Sequence, residues 1–145
     1  MNQSESKKLK AIIVDDEELA RQGLSMRIEQ YEDLEIVAEC RNGKEAIAAI
    51  IEHEPDVVFL DIQMPGMTGF EVINEVQGDV MPMIIFVTAY DAFAVDAFKV
   101  HAIDYLLKPV EVEGLARAVD RARQQKELKV AIPEKQKLLE LAVSL

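Results

Sequence analysis

Short apolar runs alternate with amphipathic segments along the chain, and this alternation restricts the fold more than any other feature. The runs Ala11–Val14, Val57–Leu60 and Met83–Val87 contain no polar residue. Unbroken apolar runs of this length are typical of strands that are buried on both faces. Each run precedes a segment with apolar residues at helical spacing. Strands that alternate with helices indicate a parallel sheet with helices on both sides, which is an α/β fold.

Two further strands complete the pattern. Residues 34–40 alternate apolar and polar side chains, which predicts a half-buried edge strand, and residues 103–107 predict a fifth strand. The last helix is predicted from four apolar positions at i, i+3, i+4 and i+7, which are Val112, Leu115, Ala116 and Val119. We therefore predict five βα units in a doubly wound parallel sheet of strand order 2-1-3-4-5.

The predicted units occupy residues 9–123 and leave a segment at each end. Residues 1–8 are polar and predict a disordered leader. Residues 124–145 begin as a polar helix that Ile132-Pro133 is expected to break. This second segment is interpreted as a helical extension, a linker or the stub of an output domain.

Composition excludes several classes of protein. The 16 basic and 27 acidic residues give a net charge of −11, whereas a nucleic-acid contact surface needs clustered Lys and Arg. The single Cys40 cannot form an intramolecular disulfide and fits a reducing compartment. The polar start does not resemble a signal peptide, and no apolar run approaches the ~20 residues of a membrane span. These features predict a cytoplasmic protein that does not enter the membrane.

Polar residues follow the apolar runs at the predicted strand ends. The carboxyl ends of parallel strands meet at one edge of a sheet, so these side chains should share a cleft. Clustered carboxylates suit Mg²⁺, and a carboxylate can also attack phosphorus as a nucleophile. A hydroxyl and an ammonium could neutralise the phosphoryl oxygens. The residues concerned, which together predict phosphoryl transfer onto a carboxylate, are Asp15, Asp16, Asp61, Thr88 and Lys108.

Four motifs carry a family resemblance. They are V-D-D-E at 14–17, D-I-Q-M-P-G-M-T-G at 61–69, V-T-A at 87–89 and D-Y-L-L-K-P at 104–109. With these motifs in order, residues 9–123 resemble the receiver domain of two-component response regulators, which has a flavodoxin-like fold. The stretch from Ala97 to Leu115 is most similar to the LytTR-type (LytR/AlgR) subgroup.

The resemblance implies a phosphoacceptor and a metal site. Asp61 would accept a phosphoryl group from a sensor histidine kinase, with Mg²⁺ as the cofactor. Asp16 and Asp61 would ligate Mg²⁺ through their side chains, Gln63 through its backbone carbonyl and Asp15 mostly through water. Lys108 would bind the phosphoryl group.

The resemblance also implies residues that switch and tune the domain. Thr88 and Tyr105 would form a switch pair, in which Thr88 moves to the phosphoryl group and Tyr105 turns inward. Pro109 would follow a cis peptide bond, which is rare even among X-Pro bonds. Gln63 and Tyr90 would flank the path of the attacking water and set the phosphorylated lifetime.

The implied output is regulatory rather than enzymatic, since such a domain catalyses only its own phosphorylation and dephosphorylation. Transcription would be regulated through an output domain or a partner, and DNA would be contacted only by an output domain that residues 124–145 do not contain. A homodimer would form through helix 4, strand 5 and helix 5, with Asp104 and Arg121 among the charges that pair between copies.

Other interpretations of the same residues remain open from the sequence. Asp15-Asp16 could cap a helix, and Tyr105 could serve only in core packing. A haloacid-dehalogenase-like phosphohydrolase would also use Asp61 as nucleophile, but it needs a second acid at the position where Gln63 stands. A flavodoxin-like cofactor binder is a third alternative.

Overall fold

A five-stranded parallel sheet forms the centre of the molecule, in the strand order β2-β1-β3-β4-β5. The computed structural model describes residues 8–76 and 81–144, with side chains as far as residue 128. The strands are β1 Leu9–Val14, β2 Leu34–Cys40, β3 Val57–Leu60, β4 Met83–Thr88 and β5 Asp104–Leu107. The predicted fold class and strand order are confirmed. The predicted leader lies almost wholly outside the described residues.

The helices fall between the strands as the apolar spacing predicts. They are α1 Glu18–Ile28, α2 Gly43–His53, α3 Gly69–Glu75, α4 Ala94–Lys99 and α5 Val112–Ser144, and a 3₁₀ turn at Asp91–Phe93 precedes α4. Polar residues start two of them. The Asn42 side chain accepts the Glu45 N–H at 2.9 Å, and Thr68 and Glu71 form a reciprocal capping box.

Each face of the sheet carries its own apolar core. Alternate residues of the buried strands point to opposite faces, so one run fills both cores. Ile13, Phe59 and Ile85 pack with α1 and α5, whereas Ile12, Val58 and Ile84 pack with α2, α3 and α4. Burial on both faces explains why β1, β3 and β4 contain almost no polar residue.

The last helix differs from the prediction. α5 is continuous from Val112 to Ser144 and includes Pro133, so the predicted break at Ile132-Pro133 is wrong. Proline removes one backbone hydrogen bond and crowds the preceding turn, but the bonds on either side can continue the helix with a bend. Among the described residues, no helix combines the length and apolarity needed to cross a membrane.

Ion pairs fasten α5 to the edge of the sheet where the strands begin. Both Asp33 oxygens accept from the Arg123 guanidinium, at 2.7 and 2.9 Å, and the ring of Tyr31 lies 5.6 Å from the same group. The Lys126 ammonium pairs with Asp56, whose second oxygen accepts the Lys10 N–H. We call Asp33, Asp56, Arg123 and Lys126 the amino-edge clasp.

Candidate functional site

Three carboxylates meet at the opposite edge of the sheet, where the strands end. One oxygen each from Asp15, Asp16 and Asp61 lies within 4.8 Å of the other two. The sheet produces this arrangement, because β1 and β3 are neighbours and Val14 pairs with Leu60. Asp15 and Asp61 are buried, whereas Asp16 is exposed. We call these three residues the acidic cluster.

Lys108 joins the acidic cluster from the end of β5. Its ammonium lies 2.6 Å from an Asp15 oxygen and 3.0 Å from an Asp61 oxygen. The exposed Glu17 carboxylate is 3.6 Å away. The Lys108 N–H donates to the Thr88 carbonyl at 2.9 Å, which extends the β4–β5 pairing up to the site. The peptide bond that follows, from Lys108 to Pro109, is cis.

Burial and neighbouring charges shift the pKa values of Asp61 and Lys108. Burial raises the pKa of Asp61 above its usual value, and the hydrogen bond from Lys108 opposes that rise. Burial also acts against the charged form of Lys108, but its bonds with Asp15 and Asp61 outweigh that effect and raise the pKa of the ammonium. The Lys108 ammonium therefore pairs with two of the three carboxylates, and the site carries a surplus of negative charge.

This donor set fits Mg²⁺. The acidic cluster offers only hard oxygen donors, and a hard divalent cation would compensate the surplus negative charge. One or two direct carboxylate ligands with water in the remaining positions is the usual arrangement for this ion. The residues present can therefore hold the cofactor that the sequence predicts.

Asp15 is fixed at every polar group, in contrast to the exposed Asp16. One carboxylate oxygen of Asp15 faces Lys108, and the other accepts the Glu17 N–H at 2.9 Å. Its backbone N–H donates to the Cys40 carbonyl at 3.0 Å, and its carbonyl accepts from the Arg21 guanidinium at 2.6 Å. The alternative of a helix cap is not realised, because Glu17 is the N-cap residue of α1 and its side chain makes no capping hydrogen bond. The Asp15 carboxylate instead closes the turn before α1 while lying in the cluster.

Thr88, Tyr90 and Tyr105 form a second group beside the site. Thr88 is fully buried, and its hydroxyl oxygen lies 3.4 Å from the Tyr90 N–H that donates to it. The Tyr105 hydroxyl donates to the carbonyl of the same Tyr90, and its ring lies 6.3 Å from that of Phe86. Tyr105 therefore does more than pack in the core, because it binds the carbonyl of Tyr90 while Thr88 binds the N–H of the same residue.

The remaining predicted residues surround this centre. Gln63 is exposed two positions after Asp61, and the half-exposed Tyr90 ring makes an edge contact with Phe93 at 6.3 Å. Cys40 ends the neighbouring strand, but burial raises the pKa of its thiol to about 11 and keeps it protonated. Cys40 is therefore not a nucleophile of this site.

Sequence reasoning assigned no role to three residues that shape the site. A Cβ atom on Gly69 would lie 2.5 Å from the Asp61 carbonyl oxygen, so only glycine lets α3 start this close to the phosphoacceptor candidate. Glu17 and Arg21 were also given no role. The position of Glu17 directly after Asp15 and Asp16 could have indicated that it lies near the site. Arg21 carried none, since a guanidinium that binds a backbone carbonyl leaves no pattern in the sequence.

One predicted intermolecular pair is formed within the chain. Asp104 is buried, accepts two hydrogen bonds from Arg117 and lies 3.3 Å from Arg121. Asp104 and Arg121 thus contact each other on β5 and α5 of one copy, whereas their pairing between copies stays a prediction.

Comparison with known proteins decides the family. Residues 11–120 match the family described as "Response regulator receiver domain". The chain belongs to this family. Receiver domains are signalling switches, and the phosphohydrolase and cofactor-binder alternatives give way to this assignment.

Relatives with curated sequences extend beyond this chain. The chain is 44% identical over 133 residues to "Transcriptional regulatory protein BtsR" of Salmonella typhi, which covers 90% of this chain and 56% of that protein. It is 52% identical over 113 residues to an uncharacterized response regulatory protein of Yersinia pestis, covering 78% of this chain and 48% of that protein. The chain thus spans about half the length of these relatives.

Solved receiver domains have the same fold. The domain of AraT from Geobacillus stearothermophilus superimposes with a TM-score of 0.76 at 33% identity, covering 83% of this chain and 97% of that one. The regulatory domain of mrkE from Klebsiella pneumoniae gives a TM-score of 0.70 at 34% identity, covering 80% and 93%.

Proposed function

We propose that this chain is a phosphorylation-dependent switch that accepts a phosphoryl group from a sensor histidine kinase on Asp61. The observation that carries the proposal is the placement of Asp61, buried beside Asp15 and Asp16 with the Lys108 ammonium 3.0 Å away. This arrangement provides a nucleophile, a cation-binding group and a phosphoryl-binding cation at one sheet edge.

The transfer is a displacement at phosphorus. An Asp61 carboxylate oxygen forms the new bond to phosphorus as the bond to the donor nitrogen breaks, and the leaving imidazole takes a proton. The Lys108 ammonium and the Thr88 hydroxyl bind the phosphoryl oxygens as their charge grows. The domain otherwise catalyses only the hydrolysis of its own acyl phosphate and turns over no separate substrate.

Mg²⁺ is the proposed cofactor. Asp16 and Asp61 would hold it through their side chains, Gln63 through its carbonyl and Asp15 mostly through water. The bound ion supplies positive charge for the phosphoryl oxygens. The exposure of Asp16 and the complete engagement of Asp15 support this division between direct and water-mediated ligation.

The backbone of Tyr90 connects the two switch residues, Thr88 and Tyr105. When the Thr88 hydroxyl turns to the phosphoryl group it leaves the Tyr90 N–H, and Tyr105 can then turn inward behind it. The two bonds that now converge on Tyr90 support this coupling. Gln63 and Tyr90 flank the approach to Asp61 and are proposed to set how long the acyl phosphate survives.

An apolar surface beside the site is suited to the kinase. Leu19 and Met26 of α1 are 83% and 67% exposed, and Val112 at the start of α5 is 71% exposed. The Arg27 side chain donates to the Val110 carbonyl, which ties α1 to the loop that leaves Lys108. Exposed apolar residues around a charged centre favour docking of a partner.

The wider role follows from the relatives. We propose a cytoplasmic LytTR-type regulator of transcription, with residues 1–8 as leader, 9–123 as receiver and 124–145 as the helical link to an output domain that contacts DNA. BtsR is named a transcriptional regulatory protein, which supports this role. Homodimerisation would use α4, β5 and α5, where Val95 and Phe98 are 68% and 82% exposed. Sedimentation velocity with and without beryllofluoride, a phosphoryl analogue, tests the dimer, and a monomer in both states would contradict it.

Labelling with a small phosphodonor tests the function. Acetyl phosphate with Mg²⁺ should add one phosphoryl group, and mass spectrometry of the hydroxylamine-treated peptide should locate it at Asp61. Asp61→Asn and chelation by EDTA should abolish labelling. Asp16→Ala removes a direct ligand, so any labelling that remains in this variant should not respond to Mg²⁺. Asp56→Asn is the matched control at the other sheet edge and should label normally. Labelling that persists in Asp61→Asn would overturn the assignment.

A further inference from the structure

Arg21 makes a contact that the chemistry proposed above does not use. Its guanidinium donates to the backbone carbonyl of Asp15 at 2.6 Å, although the side chain starts one turn into α1. Side chains on a helix lean toward its N-terminus, which brings the guanidinium back over the loop that enters α1. The contact therefore links the first turn of α1 to the loop that carries two members of the acidic cluster.

The Asp15 carbonyl lies where the sheet no longer supplies a partner. Val14 is the last residue of β1, and its carbonyl accepts the Asp61 N–H from the β3 side. On the other side β2 ends at Cys40, whose carbonyl accepts the Asp15 N–H. Arg21 then donates to the next carbonyl along the chain, so the guanidinium continues the pairing for one residue beyond the strand.

The consequence is a loop with little freedom. Asp15 is held at its N–H by Cys40, at its carbonyl by Arg21 and at its side chain by Glu17 and Lys108. Asp16 follows directly, and its side chain is exposed. The direction of the Asp16 carboxylate therefore depends on the orientation of the peptide unit between the two aspartates, which is the unit that Arg21 binds.

We propose that Arg21 is a positioning residue for the divalent-cation site, which it serves by holding the Asp15 carbonyl so that the carboxylates of Asp15 and Asp16 converge on Asp61. The inference rests on the proposed function, since it assigns Arg21 a role in that same site. It extends the metal site to a residue outside the ligand set. Such outer contacts typically change metal affinity by ~10-fold or more when removed.

The direction in which Mg²⁺ affinity changes when Arg21 is replaced distinguishes a positioning role from a purely electrostatic one. Arg21 is a positive charge near an acidic site, so its charge alone repels a cation, and its removal would tighten Mg²⁺ binding. A positioning role predicts the opposite, because a loop that is no longer held must be ordered when the ion binds. A role in fold stability alone would change the unfolding temperature and leave affinity unaltered.

The experiment measures the Mg²⁺ dissociation constant of the full chain by isothermal titration calorimetry, with the Asp16 and Glu17 amide signals followed by ¹⁵N NMR. The variants are Arg21→Gln, which removes the charge, and Arg21→Lys, which keeps the charge but shortens the donor. Arg41→Gln is the matched control, because Arg41 is an exposed arginine at the same sheet edge whose ion-pair partner is Glu45. All titrations are made well below each variant's unfolding temperature.

We expect Arg21→Gln to raise the dissociation constant by about tenfold and Arg21→Lys by about threefold. Arg41→Gln should stay within about twofold of the wild type, and only the Arg21 variants should broaden the two amide signals. An unchanged or lower dissociation constant in Arg21→Gln overturns the inference. If Arg21→Gln does not fold, an Arg21→Lys variant with wild-type affinity and amide signals overturns it. A wild-type chain that binds no Mg²⁺ would instead contradict the proposed function itself.

Discussion

The two edges of the sheet use the same kinds of charged residue for different purposes. At the carboxyl edge, the acidic cluster brings three carboxylates together, and the Lys108 ammonium pairs with two of them. At the amino edge, the clasp pairs Asp33 with Arg123 and Asp56 with Lys126, and the exposed Asp120 shares Arg123. The first edge carries surplus negative charge on buried carboxylates, whereas each clasp carboxylate has a cation partner.

The difference shows how charged residues of a functional site can be distinguished from charged residues that only stabilise the fold. Surplus negative charge held by a rigid sheet costs stability, and it persists where a bound cation will compensate it. Matched pairs at the surface contribute modestly to stability and require no ligand. Changes at the first edge should therefore alter chemistry, and changes at the second should alter only the free energy of unfolding.

Lys108→Met should produce the largest effect, because it removes the one cation of the acidic cluster. We expect the rate of labelling by acetyl phosphate to fall about 100-fold, since the phosphoryl oxygens lose their partner. The affinity for Mg²⁺ should rise at the same time, because the surplus negative charge grows. Initial rates of labelling on phosphate-affinity gels give the first quantity, and calorimetry gives the second.

Lys126→Met is the matched control for this lysine, and it should leave both quantities unchanged. A Lys108→Met variant that is labelled at the wild-type rate would contradict the role of this ammonium.

Tyr90→Ala should have the next largest effect, by opening the approach to Asp61. We expect the acyl phosphate to hydrolyse about tenfold faster, which corresponds to ~1.4 kcal/mol of barrier. Labelling itself should persist, since Tyr90 contributes only its backbone to the Thr88–Tyr105 group. The decay of phosphorylated protein after removal of the donor gives the lifetime.

Tyr31→Ala is the control from the amino edge, where the ring lies under Arg123. It should lower stability and leave the lifetime unchanged. If Tyr90→Ala is folded, binds Mg²⁺ and has an unchanged or longer lifetime, shielding by this ring is wrong.

Arg123→Met should destabilise the fold by about 1 kcal/mol without changing the site, because the partner carboxylate is partly exposed. The variant loses the two-point contact with Asp33, the ion pair with Asp120 and the contact with the Tyr31 ring. Urea unfolding gives the free energy, and labelling by acetyl phosphate should match the wild type. A labelling rate that changes more than the stability would show that the two edges are not separate.

The smallest expected effect is the pH dependence of the difference in stability between the wild type and Arg123→Met. The hydrogen bond from Arg123 holds the pKa of Asp33 below its usual value. The folded state therefore releases this proton more readily than the unfolded chain does. The contribution is complete above the unfolded pKa of ~3.9 and is lost as the pH falls through the lower folded value. Urea midpoints of wild type and Arg123→Met should converge between about pH 5 and pH 3, and a constant difference would argue against the pair.

Much of the fold was predictable because burial on both faces leaves a strong pattern. The runs that form β1, β3 and β4 contain almost nothing but apolar residues, and the strand order is confirmed. The convergence of Asp15, Asp16 and Asp61 was also predictable, since parallel strands bring their carboxyl ends to one edge. The roles of these residues stay predictions until the labelling experiments are done.

The parts that sequence reasoning missed depend on contacts without a period or a motif. Arg21 binds a backbone carbonyl, and the amino-edge clasp joins residues far apart in the chain, such as Asp33 and Arg123. Pro133 misled the prediction, because the local preference of proline was given more weight than the helix on both sides of it. The contacts of Asp104 with Arg117 and Arg121 on α5 were missed because they also follow no period or motif.

The length of α5 gives the amino-edge clasp a mechanical consequence. At ~1.5 Å per residue, the 33-residue helix is about 50 Å long, and Arg123 lies roughly a third of the way along it. The helix starts four residues after Lys108 and is pinned at the opposite edge of the sheet. For a rigid helix, a tilt about that pin would move the distant end about twice as far as the near end and in the opposite direction. The clasp would then act as a pivot, and small movements near the acidic cluster would become larger ones at the far end of α5.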